Sequence, residues 1–268
     1  MLRGFYTAAS GMITQQRQQE ALANNLANVN TPGYKADQTI QRSFPELLLQ
    51  QVHAQRLPVQ RNFRAPINRP IGSLHTGVYA QEMVPDYSQG DLKETHLPTD
   101  VAIVTTELPD ETGNVFFSIQ NEDGDIRLTR NGNFTVDGYG MLTTNEGYYV
   151  LDHNNEQIAV DNLDFTVSPE GNLITSEGEI IPLGLVYVSD VNDLSKEGND
   201  LYEGESEAVP ANAQYQVYQG YLERSNVDTI QTMTSMMEAY RMFEFNQRML
   251  RMIDQNMEIA VNDIGKIT

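Results

Sequence analysis

The chain has 268 residues, no cysteine and a formal net charge of −20; residues 82–207 carry −23, against +5 in 1–81 and −2 in 208–268. That length allows one large or two modest domains with a real core, and the missing cysteines exclude disulfides, thiolate metal sites and a cysteine nucleophile. So anionic a middle argues against nucleic acid as a partner and for a well-hydrated outer surface.

Residues 2–28 predict a helix. Leu2, Phe5, Ala9, Met12, Gln16, Gln19, Ala23 and Leu26 recur at steps of three and four, the spacing of one helix face. The seam is weak, because small residues and glutamines stand where bulky apolar groups are usual. It buries too little surface to offset the ordering entropy alone. Residues 1–30 hold no apolar h-region, so a cleaved secretory signal is not expected, and no stretch has the length of a membrane span. The helix is expected to stop at VNTPGYK: Pro32 disfavours helix at Thr31, and Gly33 permits a left-handed turn. Asn24, Asn25, Asn28 and Asn30 crowd its last turn. Asparagine terminates helices well, and its amides suit a neighbouring backbone.

Residues 36–81 open with an apolar patch, FPELLLQQV, and continue with Pro58, Pro66 and Pro70 among Arg56, Arg61, Arg64 and Arg69. The prolines predict extended chain. It reads either as an exposed linker or as a basic contact arm lying on the acidic middle of an adjacent subunit. Residues 82–215 read as β. DVAIV, NVFFSIQ, IRLTRNGNFTVD, GYYVLD, LDFTVS, NLITS and IIPLGLVYVS are strand-like runs separated by Gly-containing turns. Phe134-Thr135-Val136, Gly140, Leu142, Thr144 and Gly147 return 31 residues later as Phe165-Thr166-Val167, Gly171, Leu173, Thr175 and Gly178. A hairpin unit therefore recurs.

From Asn226 to about Ile264 a second helix is expected, with Ser225 and Asp228 as its start signal. Met233, Met236, Tyr240, Phe243, Gln247, Leu250, Asp254, Met257, Val261 and Ile264 form a heptad seam. So long a helix needs a long partner, and the N-terminal helix is the candidate. The expected fold is α+β: long N- and C-terminal helices form a coiled-coil-like stalk with an inserted, mainly antiparallel β domain. The divisions are 1–35 (helix), 36–81 (arm), 82–215 (β domain) and 216–268 (helix).

The chemistry of a catalytic site is not assembled. NEDGD (121–125) lacks the ligand spacing of a calcium loop and reads as a hairpin turn. His53, His75, His96 and His153 have no metal-ligand spacing. Asp152-His153 has no identifiable nucleophile partner, and neither G-x-S-x-G nor a phosphate-binding glycine loop occurs. Acidic pairs such as Asp161 and Asp164 are expected by chance among 37 acidic residues. No catalytic, cofactor-binding or metal site and no small-molecule substrate is expected.

The run ANNLANVNTPGYK (23–35) resembles the N-terminal signature of bacterial flagellar rod and hook proteins, and YLERSNVDTIQTMTSMMEAYRMFEFNQRML (221–250) resembles their C-terminal signature. The stretch SLHTGVYAQEMVPDYSQGDLKETHLPTDVAI looks like the segment that leads into the outer domain of the distal rod protein, and FFSIQNEDGDIRLTRNGNFTVDGYGMLTTNEGYYVL looks like the heart of that domain. The resemblance implies a structural subunit of the flagellar basal-body rod. Such a subunit passes unfolded through the flagellar export apparatus, without signal cleavage. It then polymerises into a helical tube that carries torque, with terminal helices inside and the β domain outside. Its implied partners are further copies of itself, neighbouring rod and hook proteins and the export apparatus. The residues expected to carry assembly are Leu2, Phe5, Met12, Asn24, Asn25, Asn28, Pro32 and Gly33 in the first signature. In the second they are Ser225, Asn226, Asp228, Met236, Tyr240 and Phe243. The competing expectations are a hook or proximal rod subunit, and, in other classes, a secreted β-domain binding module oligomerised by its helices or a cell-wall-cutting enzyme.

Overall fold

Among the described residues, two α-helices, one short 3-10 turn (Val191–Asp193) and twenty mainly antiparallel strands make up a computed structural model of the chain, an α+β fold. It describes residues 2–56, 64–110, 112–160, 163, 165–198 and 200–265, with the backbone alone at 2, 48–56, 64–71 and 264–265. Part of the basic segment (57–63), Asp161, Asp164 and the side chains of Leu2 and Ile264 lie outside the described residues. The chain divides into two compact units, Met1–Ala23 with Gln38–Val84 and Ile230–Thr268, and Asn24–Asp37 with Pro85–Thr229. The expected divisions are contiguous, whereas here residues 24–37, the last turn of the N-terminal helix and the segment after it, group with the β-rich unit.

The first unit holds most of helix α1 (Leu2–Ala27), strands β1 (Asp37–Ser43), β2 (Leu47–Arg56), β3 (Arg64–Leu74) and β4 (Val78–Pro85), and helix α2 (Thr229–Gly265). Strands β1 and β4 pair, and β2 and β3 form a long antiparallel hairpin, from Leu47 opposite Leu74 to Arg56 opposite Arg64. The segment expected as a linker or arm is thus extended, as its prolines require, and is also paired. Helix α2 has 37 residues, about 55 Å at 1.5 Å per residue. It starts at Thr229 rather than Asn226, and the Ser225 hydroxyl accepts instead from Val227 N.

The helices meet along faces of small residues. A Cβ added at Gly4 would lie 3.5 Å from Ile253, and one at Gly11 would lie 3.0 Å from Asn246. Partner numbers fall along α2 as they rise along α1, so the two run antiparallel. Another face of α1 meets strand: the Thr7 and Thr14 hydroxyls donate to Thr76 O (2.9 Å) and Val78 O (3.2 Å).

This close approach corrects the expected seams. Buried or half-buried positions on α2 run Thr232, Met236, Ala239, Phe243, Asn246, Leu250, Ile253, Met257 and Ala260, an unbroken heptad. Met236, Phe243, Leu250 and Met257 were expected there. Met233, Tyr240, Gln247, Asp254 and Val261 are exposed instead, and the residue before each faces inward. Hydrophobicity favours Met and Tyr for every seam position, but the inward heptad mixes Thr232, Ala239, Asn246 and Ala260 with the larger Met236, Phe243, Leu250, Ile253 and Met257. On α1, Ala8, Thr14 and Ala21 are buried while Gln16 and Ala23 are exposed.

The second unit contains β5 (Leu92–Glu94), β6 (Val101–Glu107), β7 (Asn114–Gln120), β8 (Ile126–Thr129), β9 (Phe134–Val136), β10 (Leu142–Thr144), β11 (Tyr149–Val150) and β12 (Thr166–Val167). They are followed by β13 (Asn172–Ile174), β14 (Ile180–Pro182), β15 (Leu185–Val188), β16 (Ser195–Glu197), β17 (Leu201–Glu203), β18 (Glu207–Ala208), β19 (Gln214–Gln219) and β20 (Tyr221–Glu223). Strand β7 is the hub. It is buried along nearly its whole length and pairs with β8, β11 and β15. Val115, Phe117 and Ile119 on one of its faces join the main core with Ile103, Phe134, Leu142, Leu173 and Val217. Phe116 on the other joins Leu128, Tyr202 and Val191. This is the period-two alternation of a strand between two apolar layers.

The expected hairpin repeat recurs bond for bond. Asp137 N donates to Met141 O (2.9 Å) and Gly140 N to Asp137 O (3.1 Å); in the second copy Ser168 N donates to Asn172 O (2.8 Å) and Gly171 N to Ser168 O (2.9 Å). The following turns, at Thr144–Tyr148 and Thr175–Glu179, repeat the pattern, with each threonine hydroxyl accepting from the closing amide at 3.2 Å. The fourth residue of each turn has φ between 82° and 93°, where glycine is unstrained. NEDGD forms the same turn, with the Asn121 side-chain oxygen accepting from Asp123 N and Asp125 N. The run IRLTRNGNFTVD, expected as one strand, is instead split into β8 and β9. Arg130 turns inward at the break, and a side chain at Gly132 would strike Val101 O.

A buried joint between the terminal segments

Helix α1 ends among its asparagines, and the amides of Asn24, Asn25 and Asn28 each take a partner. Asn25 is buried and imitates a paired strand: its Nδ2 donates to Asp37 O (2.9 Å) and its Oδ1 accepts from Asp37 N (2.8 Å). The Tyr34 hydroxyl lies 3.0–3.1 Å from Asn25 Oδ1 and Asn24 Oδ1, and Asn28 Nδ2 donates to Asn24 Oδ1 at 2.8 Å. Gly33 has φ +72°, and its amide donates to Glu223 O (2.8 Å). A Cβ at Gly33 would come within 2.5 Å of the Arg130 backbone, so glycine is required twice over.

That turn delivers Lys35 to a buried charge cluster. Lys35 Nζ donates to Glu223 Oε1 (2.6 Å) and Ser88 O (2.8 Å). Glu223 Oε1 also accepts from Gly90 N, and its Oε2 accepts from Arg130 Nε, both at 3.0 Å. The Arg130 guanidinium donates further to Val115 O (2.6 Å) and Ile103 O (3.3 Å). These three side chains are at most 1% exposed. Burial pulls the Lys35 ammonium below the ordinary lysine range; Glu223 opposes the shift and Arg130 adds to it. Asn226 closes the joint, with Oδ1 accepting from Ala36 N (2.8 Å) and Nδ2 donating to Asp86 O (2.7 Å). Lys196 covers it, 4.1 Å above the Tyr34 ring centroid and bonded to Asp37 at 3.1–3.2 Å.

Of the residues expected to carry assembly, the joint gathers Asn24, Asn25, Asn28, Gly33 and Asn226. Pro32 and Ser225 line an adjacent cleft of about 860 Å³ with Val29, Asn30, Asp91–Lys93 and Leu222–Arg224. Met236 and Tyr240 line a separate apolar groove of about 570 Å³ with Gln19, Ala23 and Met237. Phe5, Met12 and Phe243 are half-buried along α1 and α2, and Asp228 is exposed. Sequence reasoning missed Lys35, Arg130 and Glu223 as a set, because 188 residues separate Lys35 from Glu223. The available signals were a lone lysine closing the first signature and Arg130 as one of four basic residues in the otherwise acidic stretch 82–207.

The three charges come from three segments that match known proteins. Residues 5–35 match the family model described as flagella basal body rod protein, and residues 218–263 match the flagellar basal body rod FlgEFG protein C-terminal model. Residues 112–175, which include Arg130, match the flagellar hook protein FlgE/F/G D1 domain. The chain is 40% identical over 278 residues to the flagellar hook-basal body complex protein FlhO of Bacillus subtilis, covering all of both chains. It is 32% identical to the flagellar basal-body rod protein FlgG of Borreliella burgdorferi over 98% of each chain. It is also 30% identical to FlgF of Caulobacter vibrioides over the whole of both. The chain belongs to the flagellar basal-body rod family. As a structural rod protein of the basal body, it has a buried joint that ties both family-specific ends to the β domain between them.

Proposed function

We propose that this rod protein polymerises with copies of itself through the outward faces of α1 and α2. The polymer is a helical tube in which the paired terminal helices act as a coiled-coil-like stalk and transmit torque from motor to hook. Neighbouring rod and hook proteins continue the same contacts. One observation carries the reading: beyond its inward heptad, α2 leaves Ile230, Met237, Tyr240, Phe245 and Ile259 between 55% and 80% exposed. Among the described residues no helix is long and apolar enough to cross a membrane, so this much apolar surface calls for a protein partner. The chain also travels unfolded through the flagellar export apparatus, a step suited to terminal helices whose seam of small residues gains stability on assembly. Phe5, Met12, Met236 and Phe243 serve the intramolecular pairing, and Tyr240 and its outward neighbours serve the contacts between subunits. The basic hairpin of β2 and β3 is the arm that meets the acidic surface of an adjacent copy.

The test is Met237→Asp with Tyr240→Asp, two exposed positions whose replacement leaves the subunit folded. Loss of polymer in electron micrographs and of swimming is expected, with an unchanged circular dichroism spectrum. Normal swimming of the double variant refutes the outward helix faces as the assembly surface.

A further inference from the structure

Seven of the eleven methionines lie in α2, and the chain has no thiol to compete for oxidants. Met236 and Met257 occupy the inward heptad, whereas Met233, Met237, Met242 and Met252 point outward with 47–56% of their surface exposed. They lie among the outward apolar residues Ile230, Tyr240, Phe245 and Ile259. We propose that these four thioethers are a modification site for peroxides. Oxidation of the free subunit blocks its incorporation, and incorporation shields the same sulfurs. The inference rests on self-assembly through these faces.

The reaction needs only hydrogen peroxide. A thioether lone pair attacks one peroxide oxygen, the O–O bond breaks and an S–O bond forms; the other oxygen takes up the transferred proton and leaves as water. The sulfur is oxidised by two electrons and the peroxide reduced by two. The product is polar and strongly hydrogen-bond accepting. Outside the inward heptad it leaves the helix seam in place, because about half of each of these side chains already faces solvent. Buried against an apolar face of a second copy, it finds few donors, and an unsatisfied acceptor is costly. A rise of about tenfold or more in the critical concentration for polymerisation is expected.

The test uses the full-length subunit, with and without hydrogen peroxide. Sulfoxides are mapped by peptide mass spectrometry and polymer is followed by light scattering. Expected are oxidation at the four outward methionines, loss of polymerisation, and recovery on treatment with methionine sulfoxide reductases and dithiothreitol. The fourfold Met→Leu variant should polymerise in peroxide, and preformed polymer should resist oxidation at these positions. Oxidised subunit that polymerises like the untreated protein overturns the proposal, as does a failure of the reductases to restore assembly. Untreated subunit that never polymerises overturns the underlying assembly reading instead.

Discussion

Replacing Glu223 by alanine should be among the most damaging single changes in the β-rich unit. Among the described residues its carboxylate is the acidic group bonded to Lys35 and Arg130, which are themselves 1% and 0% exposed. Removing it strands two buried cations and the Gly90 amide. Breaking a buried ion pair by deleting one partner costs about 3–5 kcal/mol, against a typical total stability of roughly 5–15 kcal/mol. Lys35→Met is the discriminating control. The intact cluster carries one excess positive charge, and this change loses the Lys35 bonds to Glu223 Oε1 and Ser88 O but leaves a matched Arg130–Glu223 pair, with Glu223 Oε1 still accepting from Gly90 N. It should cost about 1–2 kcal/mol, and Lys35→Met with Glu223→Ala should be milder than the sum of the single changes. Urea unfolding of the full chain, read by the hydrogen exchange of β7 and β15 amides, reports on this unit separately from the helices. Stability of Glu223→Ala within about 1 kcal/mol of the parent, or equal losses from Lys35→Met and Glu223→Ala, would refute the cluster as the organising contact.

Other perturbations follow from groups around the joint. Burial pushes the Asp200 carboxyl up to about 6 from 3.8; the fold keeps a proton that the unfolded chain releases between those values, so stability should fall as pH rises through that window. Asp200→Asn, which tolerates the local φ of 56°, should therefore stabilise the protein by roughly 2–3 kcal/mol at pH 7, and denaturation curves showing no widening gap from about pH 4 to 6 would contradict it. Burial also raises the hydroxyls of Tyr34, Tyr87 and Tyr202 above the usual phenol range. Only the unfolded chain ionises near pH 10, so stability should decline above that pH. Tyr202→Phe should flatten the decline at little cost, since the Tyr202 hydroxyl has no hydrogen-bond partner among the described residues; an unchanged alkaline transition counts against it. Gly33→Ala combines a left-handed φ with a backbone collision and should cost about 1–2 kcal/mol or more, measurable as a lower urea midpoint.

What the sequence made legible was local. Helix ends at the asparagines, β turns at glycines and the hairpin repeat all depend on residues within five positions of one another, and they appear in the fold with the bonds their chemistry implies. Two things were not legible. The helix seam was offset at alternate positions because hydrophobicity alone ranks Met233 above Thr232 and Tyr240 above Ala239. Which one faces inward is decided by the distance between helices, set by Gly4 and Gly11 on the other chain end. The charge cluster was invisible because opposite charges far apart in sequence carry no periodic signal.

These two blind spots have one physical origin, which also bears on how the subunit works. A seam in which Thr232, Ala239, Asn246 and Ala260 are interspersed among Met236, Phe243, Leu250, Ile253 and Met257 offers limited apolar surface for holding a helix of 37 residues against its partner. The larger side chains displaced outward, Met233 and Tyr240 among them, supply the apolar area that the proposed assembly would bury. The β-rich unit is held differently, by a satisfied charge cluster and a two-layered core that need no other copy. A weakly paired helical unit and a self-sufficient β unit in one chain are what a subunit needs if order at its ends is to be completed by incorporation. It follows that pH should act on the β unit through Lys35 and Asp200, while apolar substitutions on α2 should act on polymerisation. A variant set in which those dependences were interchanged would remove the basis for assigning assembly to the helices.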